Sequence, residues 1–125
     1  MKKQFELEYS FNTSPKVLYQ RLSTSGGLSE WFADNVNQQG NTFTFIWDGA
    51  ESQAELLQKK DLNFVRYRWL DDEDEDSFFE FRIQKHDLTG DVALIIVDFS
   101  DEDEKDDAIE LWDSQVAELK HVLGL

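Results

Sequence analysis

The chain has 125 residues, 40% hydrophobic and 14% aromatic, and a formal net charge of −15 from 27 acidic and 12 basic side chains. That length fits one domain, residues 1–125, with a core of its own. The charge repels phosphate backbones and anionic headgroups, which disfavours nucleic acid and membrane surfaces as partners. Cysteine is absent, so there is no disulfide, no thiol nucleophile and no thiolate metal site. The opening MKKQFELEYSF has no continuous apolar stretch of the signal-peptide kind, and no window approaches the roughly 18 apolar residues of a membrane span. A reducing, cytoplasmic setting is the expectation.

Residues 4–11 alternate, with Phe5, Leu7, Tyr9 and Phe11 on one side and Gln4, Glu6, Glu8 and Ser10 on the other. That is the pattern of a half-buried strand. Ser14-Pro15 opens a helix, Ser14 as N-cap and Pro15 at the first helical position. Val17, Leu18, Arg21 and Leu22 mark its buried side, and Gly26-Gly27 is expected to end it. A second short helix is expected over 28–32, presenting Leu28, Trp31 and Phe32.

Strands follow. Residues 42–47 place Phe43, Phe45 and Trp47 on one face, and Asp48-Gly49 is a strong hairpin signal. The return strand, 50–59, has an open register around Ala54, Leu56 and Leu57. After a turn at Asp61-Leu62-Asn63, residues 64–69 alternate Val65, Tyr67 and Trp69 against Phe64, Arg66 and Arg68. DDEDED at 71–76 reads as a solvated loop. Residues 78–85 set Phe79, Phe81 and Ile83 opposite Glu80, Arg82 and Gln84. The last strand, 92–99, is apolar on both faces for most of its length and belongs inside the sheet. Short turns between successive strands imply an antiparallel meander.

Residues 101–107 read DEDEKDD, and Ala108, Leu111, Trp112, Gln115, Val116, Leu119, Val122 and Leu123 then follow at helical spacing. Acids in the first turn suit the helix dipole, with Ser100 or Asp101 as N-cap. About 20 residues of helix would span roughly 30 Å. It is the only element long enough to cover the apolar face of such a sheet. The fold class is therefore α+β: a curved antiparallel sheet gripping one long C-terminal helix, with two short helices after the first strand.

That arrangement resembles the START-like, or helix-grip, superfamily, which includes polyketide cyclases, pollen-allergen-type lipid binders and homologues of the heat-shock chaperone ATPase activator. The likeness is carried by FELEYSF, SPKVLYQRLSTSGGLSEWFAD at 14–34, TFTFIWDG at 42–49, FVRYRW at 64–69, FFEFRI at 78–83, DVALIIVDF at 91–99 and LWDSQVAELKHVLG at 111–124. It is similar above all to small bacterial domains near the activator-homologue branch. The resemblance implies an apolar ligand held between sheet and helix. Its lining would come from Trp31, Phe32, Phe45, Trp47, Tyr67, Phe81 and Trp112. Gln115, the polar member of the helix stripe, would orient it. The acidic loops are heavier than in the general pattern, and no stretch carries over a chaperone-binding surface.

No catalytic set emerges. His86 precedes a turn and His121 lies on the polar side of the last helix, and neither has neighbours that make a triad or dyad. The acidic runs lack the spacing and central glycine of a calcium loop. Arg66 and Arg68 share a strand face opposite Tyr67 and Trp69, which places them outside, pairing with acids such as Glu80 across the ladder. Asp98 interrupts an apolar strand and reads as an outward or edge residue before the helix. The expectation is a non-enzymatic START-like domain binding a small hydrophobic ligand, with no cofactor and no metal. The alternatives are an interaction module, either a homodimer or a chaperone regulator, with an exposed apolar patch around Phe64, Phe78 or Ile46, and then a cyclase- or hydrolase-type enzyme. The latter requires a polar residue with a perturbed pKa inside the cavity.

Overall fold

The computed structural model describes residues 2–125. Strand β1 (Lys3–Phe11) is followed by helices α1 (Pro15–Ser23) and α2 (Ser25–Leu28). Six strands come next: β2 (Asn35–Gln39), β3 (Thr42–Trp47), β4 (Ala50–Lys60), β5 (Phe64–Trp69), β6 (Phe79–Lys85) and β7 (Val92–Ser100). A 3-10 turn (Glu102–Glu104) then leads into helix α3 (Lys105–Val122). The strands form one antiparallel sheet in the order β1-β7-β6-β5-β4-β3-β2. Strands β2 to β7 are thus a meander, and β1 closes on β7, which lies inside the sheet as its two apolar faces predict.

The local chemistry explains most boundaries. Ser14 Oγ accepts from the Val17 N–H at 3.2 Å and Pro15 occupies the first turn of α1. Helix α1 ends at Ser23, before the glycines. Thr24 turns extended (φ −117°, ψ 150°), and its Oγ1 accepts from the Gly27 N–H at 2.9 Å. It caps a second helix that contains Gly26 and Gly27 and starts three residues before the expected 28–32. Gly27 is fixed by close approach: a Cβ there would run into the Gln20 carbonyl oxygen and sit 2.7 Å from the Arg21 Cα. Trp31 and Phe32 therefore leave a turn rather than a helix, and both are buried. Leu18, Tyr19 and Leu22 form the buried side of α1, while Val17 is exposed.

Asp48 (φ 50°) and Gly49 (φ 81°) form the β3–β4 turn with two positive φ values, as the hairpin signal requires. Strand β2 has no apolar alternation, since only Val36 is buried in NVNQQ; edge pairing to β3 makes it a strand. In β4 the register shifts between Leu56 and Gln58, and Ala54 points inward.

The core lies between the inner face of the sheet and the helices. Phe43, Phe45, Tyr67, Phe79, Phe81, Leu94 and Ile96 from the sheet are inaccessible, as are Leu18, Leu22, Leu28 and Leu119. At 18 residues, α3 is about 27 Å long. Trp112, Val116 and Leu119 form its buried line, with Ala108, Ile109, Val122 and Leu123 half-buried beside them. Leu111, expected on the inner stripe, is 61% exposed because the helix turns it toward its own flank. Neither Ser100 nor Asp101 caps the helix with its side chain; the 3-10 turn intervenes, and acids fill the first turns instead. The Tyr9 hydroxyl donates to Asp113 at 2.6 Å, tying α3 to β1. No helix among the described residues is long and apolar enough to cross a membrane.

Candidate functional site

Antiparallel alternation brings the C-terminal ends of β3, β5 and β7 to one end of the sheet. The first half of α3 crosses over that end and leaves a partly open cavity of about 500 Å³, within the roughly 300–1,000 Å³ typical of small-molecule sites. Trp47 ends β3, Trp69 ends β5, and both line the sheet side with Ser52 of β4. Ala108, Leu111, Trp112 and Gln115 line the helix side, and Phe32 lies beneath. Two carboxylates complete the lining, Asp98 from β7 and Asp71 from the loop after β5.

Phe32 is the hub of the aromatic packing. Its ring centroid lies 5.1 Å from Phe45, 5.5 Å from Trp47 and 5.9 Å from Trp112. Trp47 and Trp69 lie 6.1 Å apart. The Phe32 carbonyl accepts from Trp47 Nε1 at 2.8 Å and from Gln115 Nε2 at 3.3 Å. This satisfies a turn carbonyl that has no helix to pair with. It also means that Gln115 holds the 28–33 turn against α3 with one amide N–H, while the second N–H and Oε1 remain at the cavity wall.

Four of the expected lining residues meet at this cavity: Phe32, Trp47, Trp112 and Gln115. The other four do not reach it. Trp31 packs under the turn, donating from Nε1 to the Arg21 carbonyl at 2.8 Å. Tyr67 is inaccessible and donates to the Leu22 carbonyl at 2.8 Å, where α1 runs out of partners. Burial pushes the Tyr67 hydroxyl far above its ordinary pKa, with the nearby Tyr19 adding to the effect, so it stays a donor. Phe45 and Phe81 are both inaccessible core residues. For β3, β5 and β6 the face was legible in the alternation; the depth along the strand was not.

Asp98 is the main correction. It shares the inward phase of Leu94 and Ile96, and its carboxylate enters the cavity instead of pointing outward. Oδ2 accepts from Trp112 Nε1 at 2.8 Å and Oδ1 from the Phe99 N–H at 2.8 Å. Desolvation pushes its pKa above the ordinary carboxylate value, against the lowering effect of those two hydrogen bonds and of the Lys2 charge. The strand phase was the available signal, since a polar residue at an inward position either meets a partner or serves a site.

A second, acidic groove of about 530 Å³ shares Trp69 and Asp71 with the cavity and adds Lys2, Asp72, Glu73, Asp74 and Asp101. Its loop is ordered by its own side chains rather than merely solvated. Asp72 accepts from Ser77 Oγ at 2.6 Å, from the Asp74 N–H at 2.9 Å and from Lys2 Nζ at 3.0 Å. Desolvation raises the Asp72 pKa, but these partners outweigh it and hold the carboxylate below its ordinary range.

The outer face of the sheet is closed by charge. Glu80 is 2% exposed, and it receives Arg66 Nε at 2.8 Å and Arg82 Nη2 at 3.0 Å, as the cross-strand pairing of Arg66 anticipates. The guanidinium of Arg66 lies 4.1 Å over Phe78 and that of Arg82 4.8 Å over Phe64. Phe64, Phe78 and Ile46 are half-buried, so they do not centre an exposed apolar patch. His86 and His121 are exposed and line no part of the cavity.

A seven-stranded antiparallel sheet wrapped on a long C-terminal helix, with an apolar cleft between them, is the helix-grip architecture. The chain belongs to the START-like superfamily: the model described as a START-like superfamily domain matches residues 1–125. A solution structure of BfR322 from Bacteroides fragilis is 44% identical, with a TM-score of 0.71 over 99% of this chain and 93% of that one. The Aha1 dimer from Colwellia psychrerythraea is 16% identical with a TM-score of 0.79, covering 94% and 93% of the two chains. Protein MLL2253 from Mesorhizobium loti is 18% identical with a TM-score of 0.77, covering 98% and 97%. The last two establish similarity of fold alone. No curated protein matches the chain.

Proposed function

We propose that the chain is a non-enzymatic START-like domain that holds a small, largely apolar ligand between the sheet and α3. The observation that carries this reading is the cavity of about 500 Å³ walled by Trp47, Trp69, Trp112 and Phe32. Rings around an open space of this size are the usual lining of a small-molecule site, with few polar groups to fix orientation. Trp31, Phe45, Tyr67 and Phe81 support the wall from behind.

An enzymatic reading requires, beside a perturbed polar residue, a second group placed to exchange a proton with it or to act as nucleophile. Asp98 supplies a desolvated carboxyl, but both of its oxygens already accept hydrogen bonds, and no histidine stands beside it to complete an acid–base pair. Binding without chemistry fits this lining better. Native mass spectrometry after mild purification, followed by solvent extraction, tests the proposal. A bound small molecule, or indole N–H chemical shifts of Trp47, Trp69 and Trp112 that respond to added apolar compounds, is the expected result. An inert cavity across a broad library of small aromatic and alkyl compounds would sink it.

A homodimer is the second reading. It is supported by the Aha1 relative, whose structure is that of a dimer, and by the exposed side chains of Leu57, Leu70 and Leu111. Light scattering that finds only monomer at high concentration would dismiss it.

A further inference from the structure

We infer that the ligand of this cavity is an organic cation, an amine or quaternary ammonium group carried on an apolar body; the inference rests on the binding reading above and specifies its chemistry. Three tryptophans, Trp47, Trp69 and Trp112, line the cavity, and indole is the ring that attracts a cation most strongly. The N–H groups of Trp47 and Trp112 are committed to the Phe32 carbonyl and to Asp98. Those two indoles therefore offer the interior ring carbon rather than donors.

The charges agree. Asp98 is the one carboxylate set into the lining from the sheet, and its two hydrogen bonds come from dipoles, an indole and a backbone amide. Lys2 is the cation whose field reaches it, but the Lys2 ammonium sits 3.0 Å from Asp72. Arg66 and Arg82 are on the opposite face of the sheet, bound to Glu80. Asp71 stands at the rim, and the adjoining groove continues with Asp72, Glu73, Asp74 and Asp101. A fatty acid or phosphate ester entering by this route meets carboxylates at the rim and again at Asp98. An ammonium group is attracted at both points and supplies the counter-charge that the desolvated Asp98 lacks.

Three probes that share one aromatic body test this: naphthylmethyl trimethylammonium, naphthalenemethanol and naphthoate. Binding is measured by calorimetry, and its place by the indole N–H signals of the full chain. The cation is expected to bind at least about tenfold more tightly than the alcohol, and naphthoate more weakly than the alcohol. Asp98→Asn should lower the cation-to-alcohol ratio several-fold, the tryptophans and Asp71 keeping a residual preference, and Asp71→Asn should lower the ratio by a smaller factor. If Asp98→Asn does not fold, the wild-type ratio at low and high salt decides, and it must fall as salt rises. Equal binding of cation and alcohol, or a preference for naphthoate, overturns the cationic ligand and leaves the cavity reading standing. Failure of all three to move the cavity indoles overturns the cavity reading itself.

Discussion

Glu80 and Asp98 sit one residue out of step on neighbouring strands, since Glu80 pairs with Val97 across the β6–β7 ladder, and so they face opposite sides of the sheet. Glu80, on the outer face, is almost inaccessible and is held by two guanidiniums, each stacked in turn on a phenylalanine. Asp98, on the inner face, is half-buried beside an open cavity and is held by an indole and a backbone amide. The outer carboxylate is electrostatically complete, and the arginines that complete it also cover apolar rings. The inner one is hydrogen-bonded but not neutralised. The contrast separates an acid that holds the fold together from one that faces a ligand site, although both are acids inside sheet strands.

The largest effect expected lies beneath the inner site. Phe32→Ala removes the ring that bridges the sheet, the 28–33 turn and α3, and should cost about 3–5 kcal/mol of stability in urea unfolding. A loss below about 1 kcal/mol would mean that the inner aromatic cluster does not depend on this ring. Next comes the paired acid. Glu80→Gln should cost about 1.5–3 kcal/mol through its charge-assisted bonds, the half-exposed arginines keeping it toward the lower end. Asp98→Asn should stay within about 1 kcal/mol of wild type, because a lost hydrogen bond is offset by removing a desolvated charge. Equal losses from the two substitutions would break the comparison.

The pH dependence sharpens it further. Asp72 is held below its ordinary value, so its contribution is present above the unfolded-state pKa and is lost as pH falls through the folded one. Asp98 is raised, so its contribution is full below the unfolded-state pKa and is lost as pH rises through the folded one. Relative to wild type, Asp72→Asn should therefore lose ground as pH rises from strongly acidic values, and Asp98→Asn should gain it. Thermal melts across the acidic range, with slopes of the same sign for both variants, would contradict the assignment. The smallest effect belongs to Leu111, which is mostly exposed at the cavity rim. Leu111→Ser should change stability by less than about 0.5 kcal/mol while weakening the binding of apolar probes in titrations followed by indole signals.

Sequence by itself determined the architecture. Period-two alternation in Phe43–Trp47, Val65–Trp69 and Phe79–Ile83, the doubly apolar strand at 92–99, the Asp48-Gly49 turn and the helical spacing from Trp112 to Leu119 each specify a local structure. Together they leave one way to cover the apolar face. Where sequence failed, long-range contacts decided. Strand β2 exists because β3 offers it an edge, whereas α1 stops before Thr24 for a local reason, since that hydroxyl caps the next turn. Leu111 faces outward because α3 docks on Trp112, Val116 and Leu119. The cavity depends on the same contacts. Alternation told which side of the sheet Phe45, Tyr67 and Phe81 occupy, though the outward position expected of Asp98 went against its own phase, and it did not tell how far along the strand α3 crosses. That crossing buries Phe45, Tyr67 and Phe81 as core and leaves Trp47, Trp69 and Asp98 at an open end. Phase along a strand is a local property of the chain, whereas depth beneath a helix is set only when distant segments pack.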